Sequence, residues 1–141
     1  MKQSFTRLTL PARVDSGAEF RAFIHDGAKS AGLGVEDLNR LDLVMEEILV
    51  NIARYAYAPG SGDTEVAYAV DGKSLLVEIS DQGHSFNPLE AAAPDLTLGL
   101  ADRPIGGLGV PLVKQIVGSL TYQRVSGRNV ISFRFPGRAS G

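Results

Sequence analysis

Three short stretches combine residue types that can do chemistry with spacings that could direct them at one ligand. Glu47 and Asn51 stand four residues apart, so on a helix their side chains lie one turn apart on the same side. A carboxylate there can act as a general base. A carboxamide oxygen is a hard ligand suited to Mg²⁺, which keeps most of its waters and is shared with substrate phosphates. Charged residues are usually solvated, but Leu43, Val44, Ile48, Leu49 and Val50 leave this segment apolar nearly all round, which argues against a plain surface pair. Glu46 points to a different flank. The second stretch is Asp81-Gln82-Gly83. An Asx turn would account for it alone. At a pocket floor, the same carboxylate would accept a hydrogen bond from an amine such as that of adenine, and Gly83 would let a ligand come close. The third is Gly106-Gly107-Leu108-Gly109, which at a helix start offers free N–H groups and the positive dipole end to a phosphate. It has neither the Lys-Ser/Thr of a P-loop nor a Gly-x-Gly-x-x-Gly after a strand.

The elements that must position these groups follow from periodicity. Phe5–Leu10 reads as an edge strand ended by Pro11. Ser16 and Glu19 form a capping-box pattern ahead of Phe20, Phe23, Ile24, Ala28 and Ala31, spaced for one helix face, with Gly32 as the terminating residue. A longer helix is predicted from near Glu36. Its core stripe is Leu38, Leu41, Met45, Ile48, Ile52 and Tyr55, ended by Pro59 and the Gly60-Ser61-Gly62 stretch. Alternation through Val66, Tyr68, Val70 and then Leu75, Val77, Ile79, around Asp71-Gly72, predicts a hairpin running into Asp81. Pro88 to Gly106 has no sustained period and reads as a lid. A short helix follows the glycines, and Leu120–Val125 and Val130–Phe135 form a second hairpin around Ser126-Gly127-Arg128-Asn129. Hairpins with helices on one face predict an α+β two-layer sandwich with a mixed, mostly antiparallel sheet.

The 141 residues are expected to form one domain, 1–141. They hold 14 basic and 16 acidic residues, 44% hydrophobic residues and no cysteine. Thiol catalysis, Cys-based zinc sites and disulfides are therefore excluded. The two histidines, His25 and His84, are too scattered for a His-rich metal centre. No basic cluster suggests a nucleic-acid surface, and no apolar run approaches a membrane span or a signal-peptide core. A cytoplasmic protein acting on a small ligand or another protein is expected.

In order and spacing the three stretches are more specific than any one of them. Together they resemble the Bergerat-fold ATP-binding domain of the GHKL superfamily, in its small branch of anti-sigma-factor serine kinases. Glu47-Ile-Leu-Val-Asn51-Ile-Ala-Arg-Tyr-Ala looks like the N box, Asp81-Gln-Gly83-His-Ser-Phe-Asn-Pro like the first glycine box, and Gly106-Gly107-Leu108-Gly109-Val like the second. The Gly127-Arg128-Asn129 hairpin matches the branch as well, so the resemblance covers essentially the whole chain. Ser85 stands where many relatives carry a second glycine, and Tyr55 where N boxes often have histidine.

The resemblance implies that Asp81 accepts the adenine amino hydrogen, Asn51 ligates Mg²⁺, and Gly107 and Gly109 present N–H groups to the ATP phosphates. Gly83 and Leu108 would complete the nucleotide site, with Arg103 reaching the phosphates from the lid. Glu47 would take the proton from a serine hydroxyl on a STAS-domain anti-anti-sigma partner. It further implies sequestration of a sigma factor by a homodimer. Two other readings share the same residues: a nucleotide-gated binding module without transfer, and the ATPase domain of a split histidine kinase.

Overall fold

A computed structural model describes residues 4–85, 113 and 116–136. Strand β1 (Thr6–Pro11) leads through a short 3-10 turn (Val14–Ser16) into helix α1 (Gly17–Ser30). Helix α2 (Val35–Asn51) follows and runs without a break into a π-helical turn, Ile52–Ala56. Strands β2 (Asp63–Asp71) and β3 (Ser74–Asp81) form one hairpin, and β4 (Gly118–Val125) and β5 (Arg128–Phe135) form another. The sheet order is β1-β2-β3-β5-β4. All four described pairings are antiparallel, giving the expected α+β architecture.

The core lies between the helices and one face of the sheet. Phe20, Ile24 and Ala28 of α1 and Leu41, Val44, Met45 and Ile48 of α2 close onto Val66, Leu75, Val77, Ile79, Ile131, Phe133 and Phe135. Strand alternation sends every second side chain to this face. The register sets those side chains in rows across the sheet, one of which is Val66–Ile79–Ile131. Two residues further along each strand, the row becomes Thr64–Asp81–Asn129. All three are at most 2% exposed. The apolar core therefore passes directly into a buried polar row, with Asp81 at its centre.

Three expectations are corrected. Ser16 does not cap α1: its hydroxyl donates to the Pro11 carbonyl at 2.8 Å, tying the helix entry to the end of β1. Tyr55 is not part of the core stripe. The π turn widens the helix, so Ile52 and Ala56 point inward and Tyr55 is 36% exposed. Arg128 and Asn129 are strand residues, because Ser126 and Gly127, both at positive φ, make the turn by themselves. The helix stop at Gly32 is as expected. Its φ of +80° lets Gly32 N–H reach Lys29 O and Leu33 N–H reach Ala28 O, the paired bonds of a Schellman motif.

Candidate functional site

Asp81 is the last residue of β3 and is 1% exposed. Its Oδ1 accepts two hydrogen bonds, from Gly83 N–H at 2.9 Å and from Asn129 Nδ2 at 2.9 Å. Its other oxygen, Oδ2, is buried and has no hydrogen-bond partner among the described residues. Burying an acceptor without a donor costs about 1–3 kcal/mol. Such an atom is one that a bound ligand or water would complete.

The segment after Asp81 is tied to the end of the α2 run. His84 N–H donates to Ala56 O at 2.9 Å, and His84 Nε2 donates to Ala58 O at 2.8 Å. The Tyr57 hydroxyl accepts from Gln82 N–H at 2.7 Å and donates to Asp63 O at 2.5 Å. Burial, with Asp81 and Asp63 nearby, pushes the Tyr57 phenol above its usual range against the pull of the Gln82 N–H. A Cβ on Gly83 would stand 2.1 Å from Ala56 O. The close approach that requires glycine here is thus to the protein's own backbone.

The helical run that ends at this junction also carries the Glu47–Asn51 pair. Asn51 lies one turn before the π segment and is 2% exposed, and its Nδ2 donates to Glu47 Oε2 at 2.9 Å. The one-turn spacing thus yields a directly bonded pair. Glu47 is half-buried. Desolvation pushes its carboxyl above the ordinary range; the Asn51 bond acts against this and the Glu46 charge adds to it. A raised carboxyl beside a buried amide is the condition of a general base tuned toward neutral pH. With Nδ2 given to Glu47, Oδ1 is the atom of Asn51 with metal-ligating chemistry. No group of three His, Cys, Asp or Glu side chains gathers among the described residues. One or two hard oxygens of this kind suit Mg²⁺ shared with phosphates rather than a cage made by protein alone.

The chain matches the model of the histidine kinase-like ATPase domain over residues 10–135. It belongs to that family. The match spans both helices and strands β2 to β5, with only the end of β1, and the Bergerat-type α+β sandwich expected from the motifs is the family's fold. A curated relative of this ATPase-domain chain is the serine/threonine-protein kinase BtrW of Bordetella bronchiseptica, 31% identical over 90 residues, which are 63% of this chain. The aligned part is also 63% of that relative's length.

Within this histidine kinase-like domain, Glu47 and Asn51 pair near the end of α2 and Asp81 and Gly83 pair at the end of β3, and the segment after Asp81 touches Ala56, where the helical run ends. Arg103, Gly107, Leu108 and Gly109, with the expected lid from Pro88 to Gly106, lie outside the described residues. Sequence reasoning missed two members of the site. Thr64 gave no signal beyond the start of a strand. Asn129 was assigned to a turn, where an asparagine needs no further explanation. Counting alternate residues back from Phe135 along β5 would have put it on the core face.

Proposed function

We propose that the chain is an ATP-dependent protein serine kinase of the partner-switching, anti-sigma type. The buried, unpartnered Asp81 Oδ2 carries this reading: it is an acceptor placed to take the exocyclic amino hydrogen of adenine. The bonded Glu47–Asn51 pair supplies the other half. Asn51 Oδ1 would hold Mg²⁺ together with phosphate oxygens, and the bound ion would neutralise charge on the transferring group. Gly107, Leu108 and Gly109, with Arg103, are the proposed phosphate contacts.

In the proposed reaction the serine Oγ of a protein partner attacks the γ-phosphorus. A new P–O bond forms, the bond from that phosphorus to the β-phosphate oxygen breaks, and ADP leaves. Glu47 takes the hydroxyl proton. Little covalent chemistry is asked of the protein, since phosphoryl transfer depends on positioning and electrostatics. The likeness to a protein named as a serine/threonine kinase supports this class of acceptor. The partner proposed is a STAS-domain anti-anti-sigma protein, with a sigma factor sequestered by a homodimer in the cytoplasm. No described helix is long and apolar enough to cross a membrane.

The test is incubation with γ-labelled ATP, Mg²⁺ and a STAS-domain protein. Acid-stable, base-labile label on that protein is expected. Acid-labile label would mean histidine transfer. Tight nucleotide-dependent binding without label would mean a docking module.

A further inference from the structure

The free oxygen of Asp81 has a defined direction, set by the two donors to the other oxygen: Gly83 N–H from the following segment and Asn129 Nδ2 from the neighbouring strand. Asp81 and Asn129 are register partners across β3 and β5. Asn129 Nδ2 donates to Asp81 Oδ1 at 2.9 Å and to His84 O at 2.6 Å. Its Oδ1 accepts from the Tyr122 hydroxyl at 2.6 Å and from Arg124 Nη1 at 3.2 Å. The same Arg124 nitrogen donates to Gly83 O at 2.8 Å. A primary amide has two N–H donors and one acceptor oxygen. Turning this one over would set its NH₂ against the Arg124 guanidinium, which cannot accept, and its oxygen against the His84 carbonyl. The amide is therefore fixed in one orientation, and it can meet Asp81 only through an acceptor atom.

We propose that Asn129 is a positioning residue for base selection: together with Gly83 N–H it demands an acceptor where residue 81 meets β5, and so fixes which atom is left for the nucleobase. This rests on the reading that Asp81 contacts the base. In the native pair, Asp81 Oδ1 is taken by these donors and the buried Oδ2 is left for the base, where an acceptor suits the amino group of adenine and opposes the carbonyl of guanine. The β4–β5 hairpin thereby acts on the ligand through a residue of another strand, without touching it. A sharper consequence concerns Asp81→Asn. With Gly83 N–H and Asn129 Nδ2 both donating to that position, the new amide must keep its oxygen toward them and turn its NH₂ toward the base, which favours guanine.

The experiment is calorimetric titration of the full chain with Mg-ATP and Mg-GTP, for the wild type, Asn129→Ser and Asp81→Asn. The readout is the ratio of the two affinities, since loosening of the fold alone weakens both nucleotides alike. The wild type is expected to favour ATP, and Asn129→Ser to narrow that preference about fivefold or more, mostly through weaker ATP binding. Asp81→Asn is expected to lower ATP affinity about tenfold or more and to shift the preference toward GTP. Equal losses for ATP and GTP in Asn129→Ser would overturn the role of Asn129 while leaving Asp81 in place. A wild type that binds ATP and GTP equally would remove the reading of Asp81 itself, and the proposal with it.

Discussion

Glu47 shows how one helical turn sets the chemistry of a carboxylate. Its partial burial favours the neutral acid, and the Asn51 amide bonded to Oε2 favours the anion, with burial the larger effect. As a base it must be ionised to take a proton. Transfer should therefore rise with pH through a titration lying above the ordinary glutamate range, then level off. The stability consequence has the opposite sign. A carboxyl whose folded pKa is raised stabilises the fold fully below its unfolded value and loses that contribution as pH rises through the folded one. Glu47→Gln keeps an acceptor for Asn51 and never ionises. The variant is expected to melt at least as high as the wild type at pH 7, with a difference that shrinks as pH falls toward the unfolded value of about 4. Its transfer rate should fall by about 10²–10⁴ with ATP affinity nearly unchanged, the usual worth of a positioned acid–base group. Melting curves at several pH values and single-turnover rates on the same preparation check both. A variant that loses nucleotide affinity and stability together would mark Glu47 as structural.

At the scale of elements, the site depends on a contact between two backbones. Strand β3 ends at Asp81 and the π turn ends at Ala56, and Gly83 lets the following segment lie against the Ala56 carbonyl. The π turn contributes by widening the helix just past Asn51, which brings Ala56 inward; such turns recur at functional sites. Gly83→Ala would put a methyl carbon about 2.1 Å from a carbonyl oxygen, and no side-chain rotation relieves it. The expected cost is about 1–3 kcal/mol, in the range of an overpacked interior, and several degrees of melting temperature. Because the displaced segment carries the Gly83 N–H that holds Asp81 Oδ1, ATP affinity should fall with it. Thermal melts and ATP titrations of the variant measure the two effects. A variant with native stability and native affinity would show that this junction does not set the site.

At the scale of the whole molecule, the unsatisfied Asp81 oxygen sits at the edge of the core, one row beyond Ile79 and Ile131 on the same face. A ligand that completes it binds the folded chain and not the unfolded one. Saturating Mg-ATP, at about one hundred times its dissociation constant, should stabilise the fold by about 2.7 kcal/mol. Differential scanning fluorimetry should show the melting temperature rising with ATP concentration, and rising less with GTP. A melting temperature insensitive to either nucleotide would count against a nucleotide site at this end of the core.

The sequence by itself determined most of the elements. The three-and-four spacing from Leu41 to Ile52, the alternation from Leu75 to Ile79 and the glycine at 32 are local patterns, and each produces its structure from neighbours along the chain. The Glu47–Asn51 pair was legible for the same reason, since one helical turn fixes their proximity. What joins Asp81 to Asn129, 48 residues away, is a strand register, and no local pattern reports which residues two strands place opposite each other. The same holds for the Gly83 contact with Ala56, which exists only once a loop meets a helix end, and for the entry of α1, where Ser16 bonds Pro11 instead of capping its helix. The widening at Ile52–Ala56, which turned Tyr55 outward against the stripe, was equally invisible, because a π turn changes the period on which the reading of a helix depends. Local interactions choose helix or strand. The setting of the buried Asp81 carboxylate needs, besides the local Gly83 N–H, a donor from another strand, and so only the tertiary structure completed it.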